Sequence, residues 1–214
     1  MNKTLIVSGG NTNKNYINQL IRDNTFTNVI AVDKGLEALG EINILPEYII
    51  GDFDSVDKEI LNKYKNRDVE IRELNPEKDY TDTHMAIKLA MELGSDEVVI
   101  TGAIGTRIDH VIANIHIMKE GLEKNIDCKI IDEYSEIIII NKDTKIEKEN
   151  KYISLIPLTT EVFGVTLEGF KYKLENATLR VGDSIGISNE VISETATIRI
   201  GEGILIVIKA REDI

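Results

Sequence analysis

The stretch Thr4-Leu5-Ile6-Val7-Ser8-Gly9-Gly10-Asn11 sets the pattern of the first half of the chain, because a short apolar run ends there at two glycines. The run predicts a buried strand that ends in a tight turn. The pattern recurs where Val29–Val32 precedes Asp33-Lys34-Gly35, and where Tyr48–Ile50 precedes Gly51-Asp52-Phe53-Asp54-Ser55. Such runs are typical of the buried strands of a parallel sheet.

Helical patterns separate the apolar runs in the first two-thirds of the chain. Helices are predicted over Asn15–Arg22, Leu36–Ile42, Asp57–Tyr64, Asp82–Leu93 and Asp109–Leu122. Further strands are predicted over Val69–Leu74, Glu97–Ile100, Cys128–Ile131 and Ile137–Ile140. Strands that alternate with helices predict an α/β fold with a mostly parallel sheet and helices on both faces.

The pattern changes near Asp143, after which short apolar runs are separated by glycines and no convincing helix follows. Alternation such as Thr195-Ala196-Thr197-Ile198 suits strands with one face in water. We predict strands over Tyr152–Ile156, Val162–Leu167, Thr178–Val181, Ser184–Ile187, Thr195–Ile200 and Gly203–Lys209. The expected organisation is an α/β domain over residues 1–143 and a small all-β domain, a sandwich or open barrel, over residues 144–214.

The composition excludes several classes of protein. The 214 residues carry 25 Lys and Arg against 37 Asp and Glu, a net charge of −12, which disfavours binding to nucleic acid or to anionic membranes. The single cysteine, Cys128, excludes an intrachain disulfide and a multi-cysteine metal site. The apolar runs are far shorter than the ~20 residues that span a bilayer. We therefore expect a soluble, cytoplasmic protein.

Polar segments follow several predicted strands, and in parallel sheets ligands bind beyond the carboxyl ends of the strands. Asp52 and Asp54 follow one strand at positions i and i+2. Two carboxylates on such a loop can converge on one hard cation, which completes its shell with water and phosphate oxygens. The alternative is a solvated acidic turn, or a helix cap supplied by Ser55 or Asp57.

Two more segments carry polar side chains at expected strand-to-helix junctions, Lys78-Asp79-Tyr80-Thr81-Asp82-Thr83 and Gly102-Ala103-Ile104-Gly105-Thr106-Arg107-Ile108-Asp109-His110. Capping alone could explain Asp82, and a structural hydrogen bond could explain His110. Arg107 suits phosphate, whereas Asp109 could bind metal or accept a hydroxyl proton. Five carboxylates at one sheet edge would repel each other without a divalent cation, so the set indicates Mg²⁺-dependent chemistry on a polyphosphate.

These segments resemble those of the thiamine pyrophosphokinase family, and no Walker A or protein-kinase motif is present. The resemblance extends to Phe163-Gly164-Val165-Thr166, Gly169-Phe170-Lys171-Tyr172-Lys173-Leu174 and Ile187-Ser188-Asn189-Glu190. It implies transfer of the β,γ-pyrophosphoryl group of ATP to the hydroxyl of thiamine, with Mg²⁺, giving AMP. It also implies a homodimer and a C-terminal β-sandwich that helps to bind thiamine.

The resemblance implies a role for each matching residue. Four aspartates form the catalytic cluster, and the first three of them also bind the metal: Asp52, Asp54, Asp79 and Asp109. Two basic residues, Lys78 and Arg107, face phosphate. Asp82 lies on the thiamine or metal side, and Ser188 and Asn189 contact thiamine.

The sequence departs from the family pattern at two points. Thr106 stands where a glycine is usual before the arginine, and His84 stands where many members have an acidic residue. The chain contains no tryptophan, so any aromatic stacking on thiamine would need Tyr or Phe. Two rival functions stay open at this point, a Mg²⁺-dependent phosphatase or diphosphatase that uses the same aspartates, and a thiamine- or nucleotide-binding module without turnover.

Overall fold

The computed structural model describes residues 1–54, 56, 58–65, 67–75, 77 and 79–211. The chain divides into an N-terminal unit, Met1–Glu133, and a C-terminal unit, Tyr134–Ile214. This division differs from the predicted boundary after Asp143. The reason is that the strand Ser135–Ile140 pairs along its length with Leu205–Ala210, so it belongs with the C-terminal strands.

Strands and helices alternate in the N-terminal unit, as the sequence predicts. Their bounds are β1 (Lys3–Val7), α1 (Lys14–Asp23), β2 (Asn28–Val32), α2 (Gly35–Glu41), β3 (Tyr48–Gly51), α3 (Lys58–Tyr64), β4 (Glu70–Glu73), α4 (Asp82–Glu92), β5 (Glu97–Thr101), α5 (Ile108–Glu123) and β6 (Asp127–Ile131). The strands pair in parallel in the order β4-β3-β2-β1-β5-β6. The α/β class with a mostly parallel sheet is thus confirmed.

The central strands of this sheet are buried along nearly their whole length. In β1, β2 and β5 the first residue is half-buried and the next four are buried. Burial on both faces explains why these strands appear in the sequence as continuous apolar runs rather than as alternating ones. Helices α1 and α2 pack onto the sheet through Ile17, Leu36 and Leu39, which are fully buried in one core cluster.

The strand order reverses at β1, which pairs with β2 on one side and with β5 on the other. The loops that follow β1 and β5 therefore leave neighbouring strand ends toward different helices. A crevice forms at such a point in open α/β sheets, and ligands bind there. The topology thus predicts a ligand site at the carboxyl ends of β1 and β5.

The C-terminal unit consists of two antiparallel sheets. Its strands are β7 (Ser135–Ile140), β8 (Thr144–Glu147), β9 (Tyr152–Pro157), β10 (Glu161–Glu168), β11 (Ala177–Arg180), β12 (Thr195–Arg199) and β13 (Leu205–Ala210). One sheet contains β7, β13 and β9, and the other has the order β11-β10-β12-β8. Buried residues from both sheets, including Leu167, Leu179 and Val207, form one core, as in a β-sandwich.

Two details of the predicted β region differ from the structure. Strand β8 was not predicted, since it is short and buries only Ile146. The strand predicted over Ser184–Ile187 is wrong: the Ile187 N–H bonds to the Ser184 carbonyl, so the segment turns. Along the described ranges, none of the helices combines the length and the apolar character needed to cross a bilayer.

Candidate active site

A cavity of about 800 Å³ lies at the strand reversal in the N-terminal unit. Its wall consists of the loops after β1, β2 and β5 and of the first residues of α4 and α5. The lining residues come from five segments: Ser8–Asn11, Val32–Lys34, Thr81–Thr83, Gly102–Arg107, and His110 with Asn114. The predicted ligand crevice is therefore present as a real concave space.

The loops after β1 and β5 extend the pairing of their strands. The N–H groups of Ser8, Gly10 and Asn11 each donate at 2.8 Å, to the carbonyls of Thr101, Gly102 and Ile104 respectively. These bonds hold the two loops side by side beyond the last residues of the strands. The floor of the cavity is consequently made of backbone.

Gly10 permits this close approach of the two loops, and Gly35 permits a similar approach of α2 to β1. A Cβ atom on Gly10 would lie 2.4 Å from the Gly102 carbonyl oxygen, and one on Gly35 would lie 1.9 Å from the Val7 carbonyl oxygen. A side chain at Gly10 would push the two loops apart, and one at Gly35 would push α2 away from β1. A backbone floor without side chains lets amide groups come near an anionic ligand.

Two helices begin at the cavity wall. Thr81 caps α4 by accepting a hydrogen bond from the His84 N–H at 3.2 Å, and the Thr83 hydroxyl lies 3.0 Å from that of Ser8. Helix α5 begins after Arg107, whose side chain makes no capping hydrogen bond. The amide groups and the partial positive charge at the start of a helix favour a negatively charged ligand.

Two aspartates lie in the wall of the cavity. Asp82 was predicted for the site, and its Oδ1 atom is buried. Asp33, which has no predicted role, also lines the cavity with a buried Oδ1. The signal was available, because Asp33 follows β2 just as Asp52 follows β3. The residues Ser8, Thr83 and Asn114 were missed as well, and single polar residues of this kind carry no distinguishing pattern.

Arg107 and Asp109 form an ion pair at the N-terminus of α5. The guanidinium donates to both carboxylate oxygens, at 3.0 and 2.6 Å, and the two side chains are 71% and 63% exposed. The hydrogen bonds from Arg107 are the main reason that the pKa of Asp109 falls from 3.8 to about 2. Asp109 is therefore ionised at neutral pH, and a carboxylate with so low a pKa takes up a proton poorly.

The predicted metal ligands lie outside this lining set. Asp52 and Asp54 share the loop after β3, where the Asp54 N–H donates to Asp52 Oδ1 at 3.2 Å. Asp79 is exposed, and Lys78 lies outside the described residues. Within the described ranges no three Asp, Glu, His or Cys side chains gather into a metal site. Since Mg²⁺ usually needs only one or two carboxylates besides water and substrate phosphate, the Asp52–Asp54 pair still fits such an ion.

In the C-terminal unit, the two residues expected to contact thiamine have different roles. Ser188 is exposed and adopts a φ of 56°, which is uncommon for a residue other than glycine. Asn189 is only 5% exposed, and its side chain bonds to the backbone. Its amide donates to the Tyr172 carbonyl at 2.7 Å and accepts from the N–H groups of Tyr172 and Glu190 at 3.0 and 2.8 Å. Asn189 thus holds two segments together.

The structure accommodates both departures from the family pattern. Thr106 lies at the cavity wall outside the left-handed region of φ, so the usual glycine is not needed for the backbone there. The ring of His84 lies over α5, with Nε2 2.8 Å from a carboxylate oxygen of Glu120. His84 therefore links α4 to α5 rather than lining the cavity.

Comparison with known proteins places the chain in a family. The model described as "Thiamin pyrophosphokinase, catalytic domain" matches residues 18–130, and "Thiamin pyrophosphokinase, vitamin B1 binding domain" matches residues 136–205. The thiamine pyrophosphokinase of Bacillus subtilis (strain 168) is 34% identical over 86% of this chain and 87% of its own length.

The chain belongs to the thiamine pyrophosphokinase family. The two family models match residues on opposite sides of the division after Glu133. Solved structures agree with this membership. The crystal structure of thiamine pyrophosphokinase from Bacillus subtilis has a TM-score of 0.88 at 33% identity and covers 99% of this chain and 100% of its own. The corresponding structure from Geobacillus thermodenitrificans has a TM-score of 0.86 at 27% identity, covering 99% and 98%.

Proposed function

We propose that this protein is a thiamine diphosphokinase, which transfers the pyrophosphoryl group of ATP to the hydroxyl of thiamine and releases AMP. The observation that carries the proposal is the match of both family models to consecutive parts of one chain. The cavity supports it independently, since a glycine floor and two helix N-termini suit a polyphosphate.

In this proposal the phosphates of ATP lie over the loops after β1 and β5. Arg107 at the cavity wall faces the phosphates, as does Lys78, which lies outside the described residues. Guanidinium groups bind phosphate oxygens through paired hydrogen bonds. The protein carries a net charge of −12, so local donors rather than the overall field must attract the anionic nucleotide.

Asp52, Asp54 and Asp79 are the residues we propose to hold Mg²⁺. Their carboxylate oxygens are the donors that this ion prefers, and Asp52 and Asp54 already share one loop. Mg²⁺ held by these residues would supply positive charge that offsets the negative charge of the phosphates during transfer. Asp82, in the cavity wall, would serve the metal or the thiamine.

The chemical step would be an in-line attack by the thiamine hydroxyl on the β-phosphorus of ATP. The new bond joins that oxygen to the β-phosphorus, and the bond from the β-phosphorus to the α,β-bridging oxygen breaks, so AMP leaves. Asp109 is fully ionised and can orient the hydroxyl by accepting its hydrogen bond. Its pKa of about 2 makes it a weak proton acceptor while it is paired with Arg107, so the hydroxyl proton passes on to solvent.

The C-terminal unit is the proposed thiamine-binding part. Ser188 offers an exposed hydroxyl on a segment that Asn189 holds in place. We further propose that the protein is a cytoplasmic homodimer, because ATP is an intracellular substrate and the resemblance to the family implies a dimer. A sedimentation experiment that showed only monomer at the enzyme's working concentration would contradict the dimer.

Product analysis tests the function. The pure protein is incubated with ATP and Mg²⁺, with and without thiamine, and AMP is separated from ADP. AMP that forms only with thiamine, together with thiamine diphosphate, is the expected result. ADP or free phosphate formed without thiamine would instead indicate a hydrolase. No turnover under any condition would indicate a binding module.

A further inference from the structure

Asn114 is a buried polar residue inside α5 that the proposed reaction does not use. It lines the cavity and is 5% exposed. Its side-chain amide donates to the carbonyl of Ala103 at 2.9 Å, and this bond is buried. Asparagine is a poor helix former, and burying its amide has a free-energy cost unless hydrogen bonds compensate. Its position is therefore explained by the bond across to the loop.

The hydrogen bond fixes the orientation of the whole Ala103–Ile104 peptide unit. A peptide unit is planar and trans, so the Ala103 carbonyl and the Ile104 N–H point in opposite directions. Fixing the first also fixes the second. Among the backbone hydrogen bonds of the described residues, none has the Ile104 N–H as its donor.

The next peptide unit is held from the other side. The Ile104 carbonyl accepts the hydrogen bond from the Asn11 N–H at 2.8 Å. The loop between β5 and α5 is thus clamped by α5 through Asn114 and by the loop after β1 through Asn11. Without Asn114, the peptide units on either side would keep their hydrogen bonds from Gly10 and Asn11, but the Ala103–Ile104 unit between them would lose the one to its carbonyl.

We propose that Asn114 is a positioning residue for the nucleotide. It orients the Ala103–Ile104 peptide unit, so that the backbone of the loop keeps the shape that a bound polyphosphate requires. This inference rests on the proposed binding of ATP in the cavity. Asn114 acts through the loop and touches no reacting atom.

Nucleotide affinity is the test, measured by calorimetry with a non-hydrolysable ATP analogue and Mg²⁺. The change Asn114→Leu keeps the size of the side chain and removes its donor, and Asn114→Ser provides a second variant should the first not fold. We expect the affinity for the analogue to fall about 10-fold, the usual scale for one lost hydrogen bond in a site. The KM for ATP should rise with it, whereas the KM for thiamine should change much less.

Ser95→Ala is the matched control. Ser95 makes a buried hydrogen bond of 2.7 Å to Thr4 near the opposite ends of β1 and β5, far along the strands from the cavity. This variant should lose thermal stability and keep its nucleotide affinity. If Asn114→Leu behaves like Ser95→Ala, the positioning role is wrong. If the wild-type protein itself fails to bind the analogue, the nucleotide site is wrong, and the role of Asn114 falls with it.

Discussion

The cavity of the N-terminal unit and the loop around Ser188 in the C-terminal unit are both supported by a buried asparagine, but they are built differently. The cavity floor consists of backbone hydrogen bonds between loops that parallel strands bring together, to which Asn114 adds one bond. In the C-terminal unit, the single side chain of Asn189 makes three hydrogen bonds that hold two segments.

This difference predicts which kind of substitution is most damaging in each region. If Asn114 loses its bond, the floor keeps its backbone bonds and only nucleotide affinity should fall, whereas an added side chain cannot be accommodated, because the atoms already touch. A loop held by one side chain, in contrast, loses its support when that side chain is replaced. Substitutions of glycine should therefore do most damage in the first region, and substitution of asparagine should do most damage in the second.

The largest effect is expected from Gly35→Ala. The new Cβ would lie 1.9 Å from the Val7 carbonyl oxygen, so α2 must move away from β1. We expect a loss of about 3 kcal/mol or more in the free energy of unfolding, measured in urea. Gly40→Ala in the same helix is the control: it meets only the Tyr64 hydroxyl, at 3.1 Å, and should change stability by less than about 1 kcal/mol. Equal effects of the two changes would contradict the close packing of α2 on β1.

Asp54→Asn tests the proposed metal-binding loop after β3. The change keeps the size of the side chain and removes a charged oxygen donor, so turnover should fall at least ~100-fold if Asp54 is a catalytic metal ligand. The assay is AMP formation at saturating Mg²⁺, with circular dichroism to check folding. Near-normal activity would remove Asp54 from the proposed site.

Asn189→Leu tests the loop of the C-terminal unit. Three hydrogen bonds are lost, so we expect the KM for thiamine to rise at least ~10-fold while the affinity for the ATP analogue stays near that of the wild type. The two variants should therefore differ: Asn114→Leu raises mainly the KM for ATP, and Asn189→Leu raises mainly the KM for thiamine. Thr159→Val is the control, since Thr159 bonds the backbone of Glu161 and Ile204 elsewhere in the unit. A rise in the KM for thiamine in this control would show a general loss of structure.

The smallest effect concerns the exposed pair at the cavity mouth. Arg107 lowers the pKa of Asp109, so the pair stabilises the folded state above pH 3.8 and loses this contribution as the pH falls toward about 2. Arg107→Met should return the pKa of Asp109 toward 3.8, which carbon NMR of the carboxyl group can follow. Because both side chains are exposed, thermal stability at neutral pH should barely change. An unchanged pKa would show that the pair does not persist in solution.

Much of the fold was predictable because it depends on local patterns. The buried strands of a parallel sheet are continuous apolar runs, so β1, β2 and β3 were found with only small shifts at their ends. The errors fall where local patterns fail. Ser184–Ile187 has the composition of a strand, but Gly186 packs so closely on Leu155 that a Cβ atom would lie 2.5 Å from its carbonyl oxygen.

The sequence by itself determined which residues follow strand ends, and hence that Asp82 and Arg107 would lie near a ligand crevice. Only the tertiary structure decided that the crevice lies between the loops after β1 and β5, which are about ninety residues apart in the chain. Strand order depends on contacts between distant segments, and no local pattern encodes it. For the same reason the backbone contacts of Asn114 and Asn189 could not be predicted from sequence: the hydrogen bonds of an amide depend on which backbone groups the fold brings within reach.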